Sequence, residues 1–176
     1  MLTSTRRMAT SLLVAGLCSI ILAPQARSQA KAVSLEELTR SSDVVAVGQV
    51  KNMTSEWDET GNRIRTKVLL SVDQYVVGTV NGNELTLYVP GGEVGTVGEL
   101  YSHMPVFKQD EQVMVFAARD QQQHYRVSAG EQGKFTIQKD QATGKPMIPG
   151  HASLEEFTNQ VKSTAQRLQS GDQPNH

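Results

Sequence analysis

The sequence predicts a mainly β domain with a short helix before it and an amphipathic helix after it. Short segments rich in β-branched residues recur between Val44 and Gln138, and glycine, asparagine or aspartate separates each segment from the next. A Ser-Leu-Glu-Glu capping box, which is typical of a helix N-terminus, stands at Ser34 and again at Ser153. Several short strands joined by regular turns favour a closed barrel or a sandwich.

The N-terminal segment has the pattern of a secretory signal peptide. Arg6 and Arg7 form a basic start, residues 11–22 form an apolar run, and small residues lead up to a cleavage position after Ala30. The apolar run is too short to anchor the chain in a bilayer. We therefore predict that residues 1–30 are removed and that the protein is exported, either to the periplasm or to the extracellular space.

The composition of the remaining chain excludes several kinds of protein. The sequence has 17 basic and 18 acidic residues, and the signal peptide would remove three arginines and no acid, which leaves a net charge of about −4. Because phosphate binding needs a cationic surface, we expect no nucleic-acid partner. The single cysteine, Cys18, lies in the signal peptide, so we expect no disulfide and no thiolate metal site. No later apolar run is long enough to span a membrane.

The first elements follow one another closely. A helix of about two turns is expected after Ser34. Residues Val44–Val50 have apolar side chains at both odd and even positions, so both faces of a strand here would be apolar. This predicts a strand that is buried on both faces. Gly48 indicates a bend in this strand or a close approach of another backbone. The turn signal at 58–62 then closes a strand pair.

The strand after this turn alternates most regularly, with Ile64, Val68 and Val72 on its apolar side. Its other side and the end of the preceding strand carry opposite charges: Arg63, Arg65 and Lys67 against Glu56, Asp58 and Glu59. Opposite charges on facing strands are expected to pair. We therefore predict a self-neutralised face rather than an anion site.

Further strands are predicted at Glu84–Val89, Gln112–Ala118, His124–Ser128 and Gly133–Gln138. The second of these is the most apolar and is expected to be central. Glycines and prolines make residues 140–150 a loop.

The C-terminal helix has one apolar stripe, formed by Leu154, Phe157, Val161, Ala165 and Leu168. The stripe either covers the β domain, which we favour, or recruits a partner helix. The expected organisation is one domain at residues 31–169 and a disordered tail at residues 170–176.

Four of the predicted strand regions together resemble a known fold: Ser42–Val50 (SDVVAVGQV), Thr66–Gly78 (TKVLLSVDQYVVG), Glu84–Val89 (ELTLYV) and Val113–Ala118 (VMVFAA). Their order resembles the OB-fold barrel of netrin-like modules and tissue inhibitors of metalloproteases. It is also similar to cysteine-free exported bacterial proteins of unknown function. Over residues 42–138 the resemblance implies a small closed OB-like barrel of five to six strands, which would bind ligands with one face and the adjoining loops.

The inhibitory mechanism of that family is not implied here. In those inhibitors, the amino group and carbonyl of an N-terminal, disulfide-bonded cysteine chelate the zinc of the protease. The expected mature chain begins at Lys31 and contains no cysteine.

The candidate site is the glycine- and proline-rich segment 90–107, which lies between two predicted strands. Its aromatic, charged and methionine side chains, with the tyrosine just before it, are the predicted binding residues: Tyr88, Glu93, Glu99, Tyr101, His103, Met104 and Phe107. An alternative is that Leu100, Met104 and Phe107 fold back and plug the end of the barrel.

We predict no catalytic residue, no metal and no cofactor. The glycines at 91–98 lack the Gly-Lys-Ser/Thr ending of a phosphate loop. His103, His124 and His151 come from separate segments without metal-ligand spacing. No Gly-x-Ser-x-Gly nucleophile motif is present.

The predicted function is an exported, non-catalytic binding or protein-interaction module that uses segment 90–107. Its partner would be an extracytoplasmic protein or a surface ligand. One alternative is a small exported hydrolase that uses carboxylates or histidines of the segment, such as Glu93, Glu99 and His103. Another is a structural accessory protein of the cell envelope.

Overall fold

The computed structural model describes residues 32–151 and 153–171. Helix and strand bounds are α1 (Leu35–Arg40), β1 (Val44–Trp57), β2 (Ile64–Val77), β3 (Glu84–Pro90), β4 (Gly92–Val94), β5 (Val97–Glu99), β6 (Gln112–Arg119), β7 (Tyr125–Val127), β8 (Lys134–Thr136), β9 (Gln138–Lys139), β10 (Pro146–Met147) and α2 (Leu154–Ser170). A short 3₁₀ turn at Gly130–Gly133 separates β7 from β8. The fold is mainly β with two α-helices, as the sequence predicts.

The main sheet has six strands in the order β1-β2-β3-β7-β6-β8, and β1 also pairs with β6. The pairings therefore lead from β1 through the sheet and back to β1. All of them are antiparallel except the one between β3 and β7, which is parallel and joins Leu87 to Tyr125. As expected, the apolar strand β6 is central: it pairs with β1, β7 and β8.

The pairing of β1 with β2 is irregular where the sequence places a glycine. The register of β1 against β2 shifts between Val47 and Gly48. A Cβ added at Gly48 would collide with the backbone carbonyl oxygen of Ser71. The predicted close approach of the backbone is confirmed.

Two apolar clusters share strands β1 and β6. Val44, Ala46 and Val50 of β1 belong to the cluster that also contains the apolar side chains of β2 and β3. Val45 and Val47 face the opposite way and pack with residues of α1 and α2. Alternate residues of one strand thus enter different cores, which confirms the predicted burial on both faces.

The two helices begin as predicted. Ser34 Oγ accepts a hydrogen bond from the Glu37 N–H at 3.1 Å, and Ser153 Oγ accepts one from the Glu156 N–H at 3.1 Å. Phe157 of α2 is buried in the second cluster. The apolar stripe of α2 therefore packs against its own domain.

Some predicted boundaries differ from the structure. Strands β1 and β2 continue to Trp57 and Val77, because they pair with each other over almost their whole length. Pro90 still belongs to β3, opposite Arg65. Ser170 still belongs to α2, and Gly171 follows it in the left-handed conformation; the rest of the predicted tail lies outside the described residues.

The predicted signal peptide and its cleavage position lie outside the described residues. In the described part of the chain, no helix is long and apolar enough to cross a membrane.

Candidate functional site

The first half of segment 90–107 is a β-hairpin made of β4 and β5. It lies against the paired ends of β1 and β2, because a Cβ added at Gly92 would collide with the hydroxyl oxygens of Ser55 and Thr66. Thr66 Oγ1 also donates a hydrogen bond to the Gly91 carbonyl at 2.7 Å. Glycine is thus needed where the hairpin meets the sheet.

Glu99 and Tyr101 attach the next residues to the start of β2. Glu99 Oε2 accepts hydrogen bonds from the Ile64 N–H at 3.1 Å and from the Tyr101 hydroxyl at 2.8 Å. The same hydroxyl accepts a hydrogen bond from Arg63 Nη1 at 3.2 Å. The Tyr101 hydroxyl therefore links a carboxylate that is already bonded to the backbone with an exposed guanidinium.

His103 attaches the segment to the 3₁₀ turn. Its carbonyl accepts a hydrogen bond from the Glu131 N–H at 2.9 Å. Its Nδ1 lies 3.1 Å from Glu131 Oε1. His103 has a positive φ of 60°, which is uncommon outside glycine. His103 therefore holds the segment in place, and its ring remains exposed.

The end of the segment enters the core. Phe107 is only 8% exposed and belongs to the first apolar cluster, against which Met104 packs. Leu100, in contrast, is 97% exposed. The alternative in which the segment plugs the domain is therefore correct for Phe107 and Met104 and wrong for Leu100. Of the predicted binding residues, Phe107 is therefore a buried core residue.

The charged faces of β1 and β2 pair as predicted for two of the three cations. Arg65 bonds to Glu56 at 2.8 Å and to Glu59 at 2.6 Å. Lys67 bonds to the other oxygen of Glu56 at 2.8 Å. Hydrogen bonds from Lys67 and Arg65 lower the pKa of Glu56. Arg63 is different: it forms no ion pair with any carboxylate of the described residues.

Tyr88 lies next to this charged face. Its ring stacks on His124, with a centroid distance of 4.1 Å and an interplanar angle of 21°. The Arg65 guanidinium carbon is 4.7 Å from the centroid of the same ring. Such contacts fix an aromatic ring through stacking and cation–π attraction. The half-buried Tyr88 ring therefore lies between the His124 ring and the Arg65 guanidinium as its stacking and cation–π partners.

A cleft of about 620 Å³ lies over this part of β2 and β3. Its walls come from the turns after β1 and β6, from β7 and from the 101–104 part of the segment. The lining residues are Asp58, Glu59, Thr60, Arg63, Ile64, Arg65, Tyr88, Val89, Pro90, Tyr101, Met104, Gln122, His124 and Arg126.

Aspartates organise the two turns beside the cleft. Asp58 Oδ1 accepts a hydrogen bond from the Asn62 N–H at 3.1 Å. Asp120 Oδ1 accepts from the N–H groups of Gln122 and His124, both at 2.9 Å. Desolvation opposes ionisation of Asp120, but these hydrogen bonds and the one from Arg126 outweigh it and lower its pKa. Both turns are thus closed by ionised carboxylates.

The structure brings together only some of the predicted site residues. Tyr88, Tyr101 and Met104 line the cleft, and Glu99 holds Tyr101 from outside it. His103 and Phe107 do not line the cleft. Glu93 also lies outside it and is exposed.

Sequence reasoning missed the cationic and polar residues of the cleft. The charge pattern of the sequence places Arg63 on the self-neutralised face, and the strand pattern places His124 at the start of a strand. Their positions in the sequence could have indicated them, because each residue directly follows a turn that begins with an aspartate. Among the described residues, no group of three or more histidine, cysteine, aspartate or glutamate side chains could hold a metal ion.

Comparison with known proteins does not identify a family. The chain matches no protein-family model, and no curated protein matches it.

Proposed function

We propose that the protein is an exported, non-catalytic binding module that holds its ligand in the cleft between β2, β3 and the two aspartate-closed turns. The proposal includes an OB-like closed barrel related to netrin-like modules. Three features support the barrel: β1 pairs on both edges, the pairings return to β1, and β3 pairs in parallel with β7. OB folds bind ligands on the face of their second and third strands and with the neighbouring loops, and the cleft has that position.

The observation that carries the proposal is the state of Arg63 within this cleft. Its guanidinium donates one hydrogen bond, to the neutral hydroxyl of Tyr101, and has no carboxylate partner among the described residues. Arg65 and Arg126, which also line the cleft, are neutralised by Glu56 and Asp120. Arg63 is therefore the cation that can bind an anionic group of a ligand, because a guanidinium offers donors that match a carboxylate.

The rest of the cleft defines the neighbouring part of the ligand. Tyr88, Tyr101 and Met104 supply apolar and aromatic surface beside Arg63. Rigid aromatic side chains with few alternative rotamers are effective contact surfaces. The ligand we propose has an acidic group attached to a ring or another apolar part, whether it is a small molecule or a side chain or terminus of a partner protein.

Titration with a pair of matched fragments tests this function. Benzoate has the required carboxylate and ring, whereas benzamide has the ring alone. With ¹⁵N-labelled protein, benzoate is expected to shift the amide signals of residues 58–65, 88–89 and 122–126, and benzamide is expected to shift them far less. Arg63→Gln should remove the difference between the two fragments.

Equal shifts from both fragments, shifts confined to another surface, or no shift with either fragment would refute the proposed site. The melting temperature of Arg63→Gln serves as the folding control, since the Arg63 side chain is exposed and contributes little to the core.

No observation favours the hydrolase alternative. Glu99 pairs with Gly92, the neighbour of Glu93, across the hairpin. Because successive residues of a strand point to opposite faces, the side chains of Glu93 and Glu99 leave the hairpin on opposite faces. Glu99 is bonded to Ile64 and Tyr101, and His103 is bonded to Glu131. These three residues do not converge on one point.

A further inference from the structure

A second, smaller groove lies on the other side of Tyr101 and Met104. Its volume is about 220 Å³, and these two residues line both the groove and the cleft. Buried residues Val68, Val89 and Phe107 also line the groove. The groove is thus an apolar depression large enough for one bulky apolar side chain.

Exposed apolar side chains stand at the edge of this groove. Leu100 is 97% exposed and Val106 is 72% exposed, and both line the groove. Single exposed apolar residues are common on proteins. Two large ones beside the same apolar depression form a contiguous patch, which is typical of an interaction surface.

The groove is lined mainly by apolar side chains. Glu99 is its one charged lining residue among those described. The Glu99 carboxylate is engaged by the Ile64 N–H and the Tyr101 hydroxyl. Apart from this carboxylate, an occupant meets mostly apolar side chains.

The main chain beside the groove is unpaired. Within the described residues, no hydrogen bond uses the backbone N–H or C=O of Val106 or of Leu100. Pro105 precedes Val106, and proline restricts itself and the residue before it to extended or turn backbone. Free main-chain donors and acceptors beside exposed apolar side chains are the features that an added β-strand uses.

We propose that this groove docks an extended segment of another protein, which pairs with the main chain at Val106 and places a bulky apolar side chain between Leu100 and Val106. Backbone pairing supplies affinity in this mode of recognition, and the pocket selects the side chain. Arg63 does not line the groove, so the inference goes beyond the acidic-ligand cleft and does not depend on it.

A fluorescein-labelled peptide of alternating threonine and isoleucine is a suitable probe for the full chain. Its matched control has the same side chains but carries N-methyl groups on alternate residues, which removes the backbone donors of one edge. We expect saturable binding of the first peptide and at least about tenfold weaker binding of the second, measured by fluorescence anisotropy. Binding of the first peptide should also slow hydrogen exchange at the Val106 N–H.

Single substitutions test whether the peptide binds at the groove. Leu100→Ser and Val106→Ser should each weaken peptide binding by about tenfold or more, while their melting temperatures stay at the wild-type value because both side chains are exposed. Arg63→Gln should bind the peptide as the wild type does, so failure of the cleft and failure of the groove are distinguishable.

Several results would overturn the inference. They are absence of peptide binding, equal binding of the N-methylated peptide, or binding unaffected by Val106→Ser. A wild-type dimer in sedimentation that Val106→Ser dissociates would also overturn it, because a second copy of the chain would then cover the groove.

Discussion

Lys134 Nζ lies 2.7 Å from Glu111 Oε1, and the two side chains are only 10% and 12% exposed. Thr136 Oγ1 donates to the same carboxylate oxygen at 2.6 Å, and the Lys108 N–H donates to Oε2 at 3.0 Å. The Lys134 ammonium also lies 5.2 Å from the centroid of the Phe107 ring. One ion pair thus connects β8 to the turn before β6 and to the buried end of the candidate segment.

Breaking this ion pair should destabilise the protein, because the remaining charge would be poorly solvated. We expect Lys134→Met and Glu111→Gln each to lower the free energy of unfolding by about 2 kcal/mol. The double variant should lose less than the sum of the single losses, since it leaves no isolated charge. Urea denaturation measures all four proteins. Additive losses would show that the two side chains are not coupled.

Glu111 also predicts a pH dependence. Burial raises its pKa, but the hydrogen bonds from Lys134, Thr136 and the Lys108 N–H outweigh burial, so the pKa is lower in the folded protein than in the unfolded chain. As pH falls below the unfolded value of about 4.3, the unfolded chain takes up the proton first. The stability contributed by ionised Glu111 is therefore present above that pH and is lost as pH falls through the folded pKa.

Comparison with Glu111→Gln isolates this residue from the other carboxylates. The difference in unfolding free energy between the wild type and the variant should be constant near neutral pH and should shrink below about pH 4. A difference that stays constant down to pH 3 or grows would contradict the lowered pKa.

The close approach of β2 to Gly48 of β1 makes a steric prediction. Gly48→Ala places a Cβ against the carbonyl oxygen of Ser71, so the paired strands must separate. We expect a loss of about 3 kcal/mol or more in unfolding free energy. Gly98→Ala is the control, because the nearest atom to its Cβ beyond the adjacent residues would be Glu93 Cγ at 3.5 Å, an ordinary contact. A Gly48→Ala variant as stable as Gly98→Ala would refute the close approach.

Truncation of Phe107 should lower the stability of the protein strongly, whereas truncation of Leu100 should leave it almost unchanged. Phe107→Ala removes a buried ring from the core and should cost about 3–5 kcal/mol. Leu100→Ala removes a side chain that is 97% exposed, so its effect should stay within about 0.5 kcal/mol. Thermal melting of the two variants decides the matter. Similar losses in both would mean that the segment does not adopt the described conformation.

Local patterns in the sequence were sufficient to predict most of the secondary structure. The alternation of apolar and polar residues indicates which side of β2 faces inward. Apolar residues at both odd and even positions indicate that β1 is buried on both faces. Capping boxes at Ser34 and Ser153 located both helix starts, because a cap depends on residues only three positions apart.

The candidate site was less accessible to sequence reasoning, because its contacts join distant residues. Arg63 and Tyr101 are 38 positions apart, and His103 and Glu131 are 28 positions apart. The parallel pairing of β3 with β7 rests on one residue pair, Leu87 and Tyr125. Composition indicated that segment 90–107 is irregular, but it did not indicate which of its side chains enter the core.

Capture by the immobilised protein tests the central claim, that the cleft at Arg63 binds a ligand, most directly. Envelope and secreted fractions of the producing cells are passed over the wild type, Arg63→Gln and the control Arg40→Gln, whose arginine pairs with Glu36 on α1 away from the cleft. We predict a ligand or protein that the wild type and Arg40→Gln retain and Arg63→Gln loses. Retention that is unaffected by Arg63→Gln, or no retention by any of the three, would contradict the account.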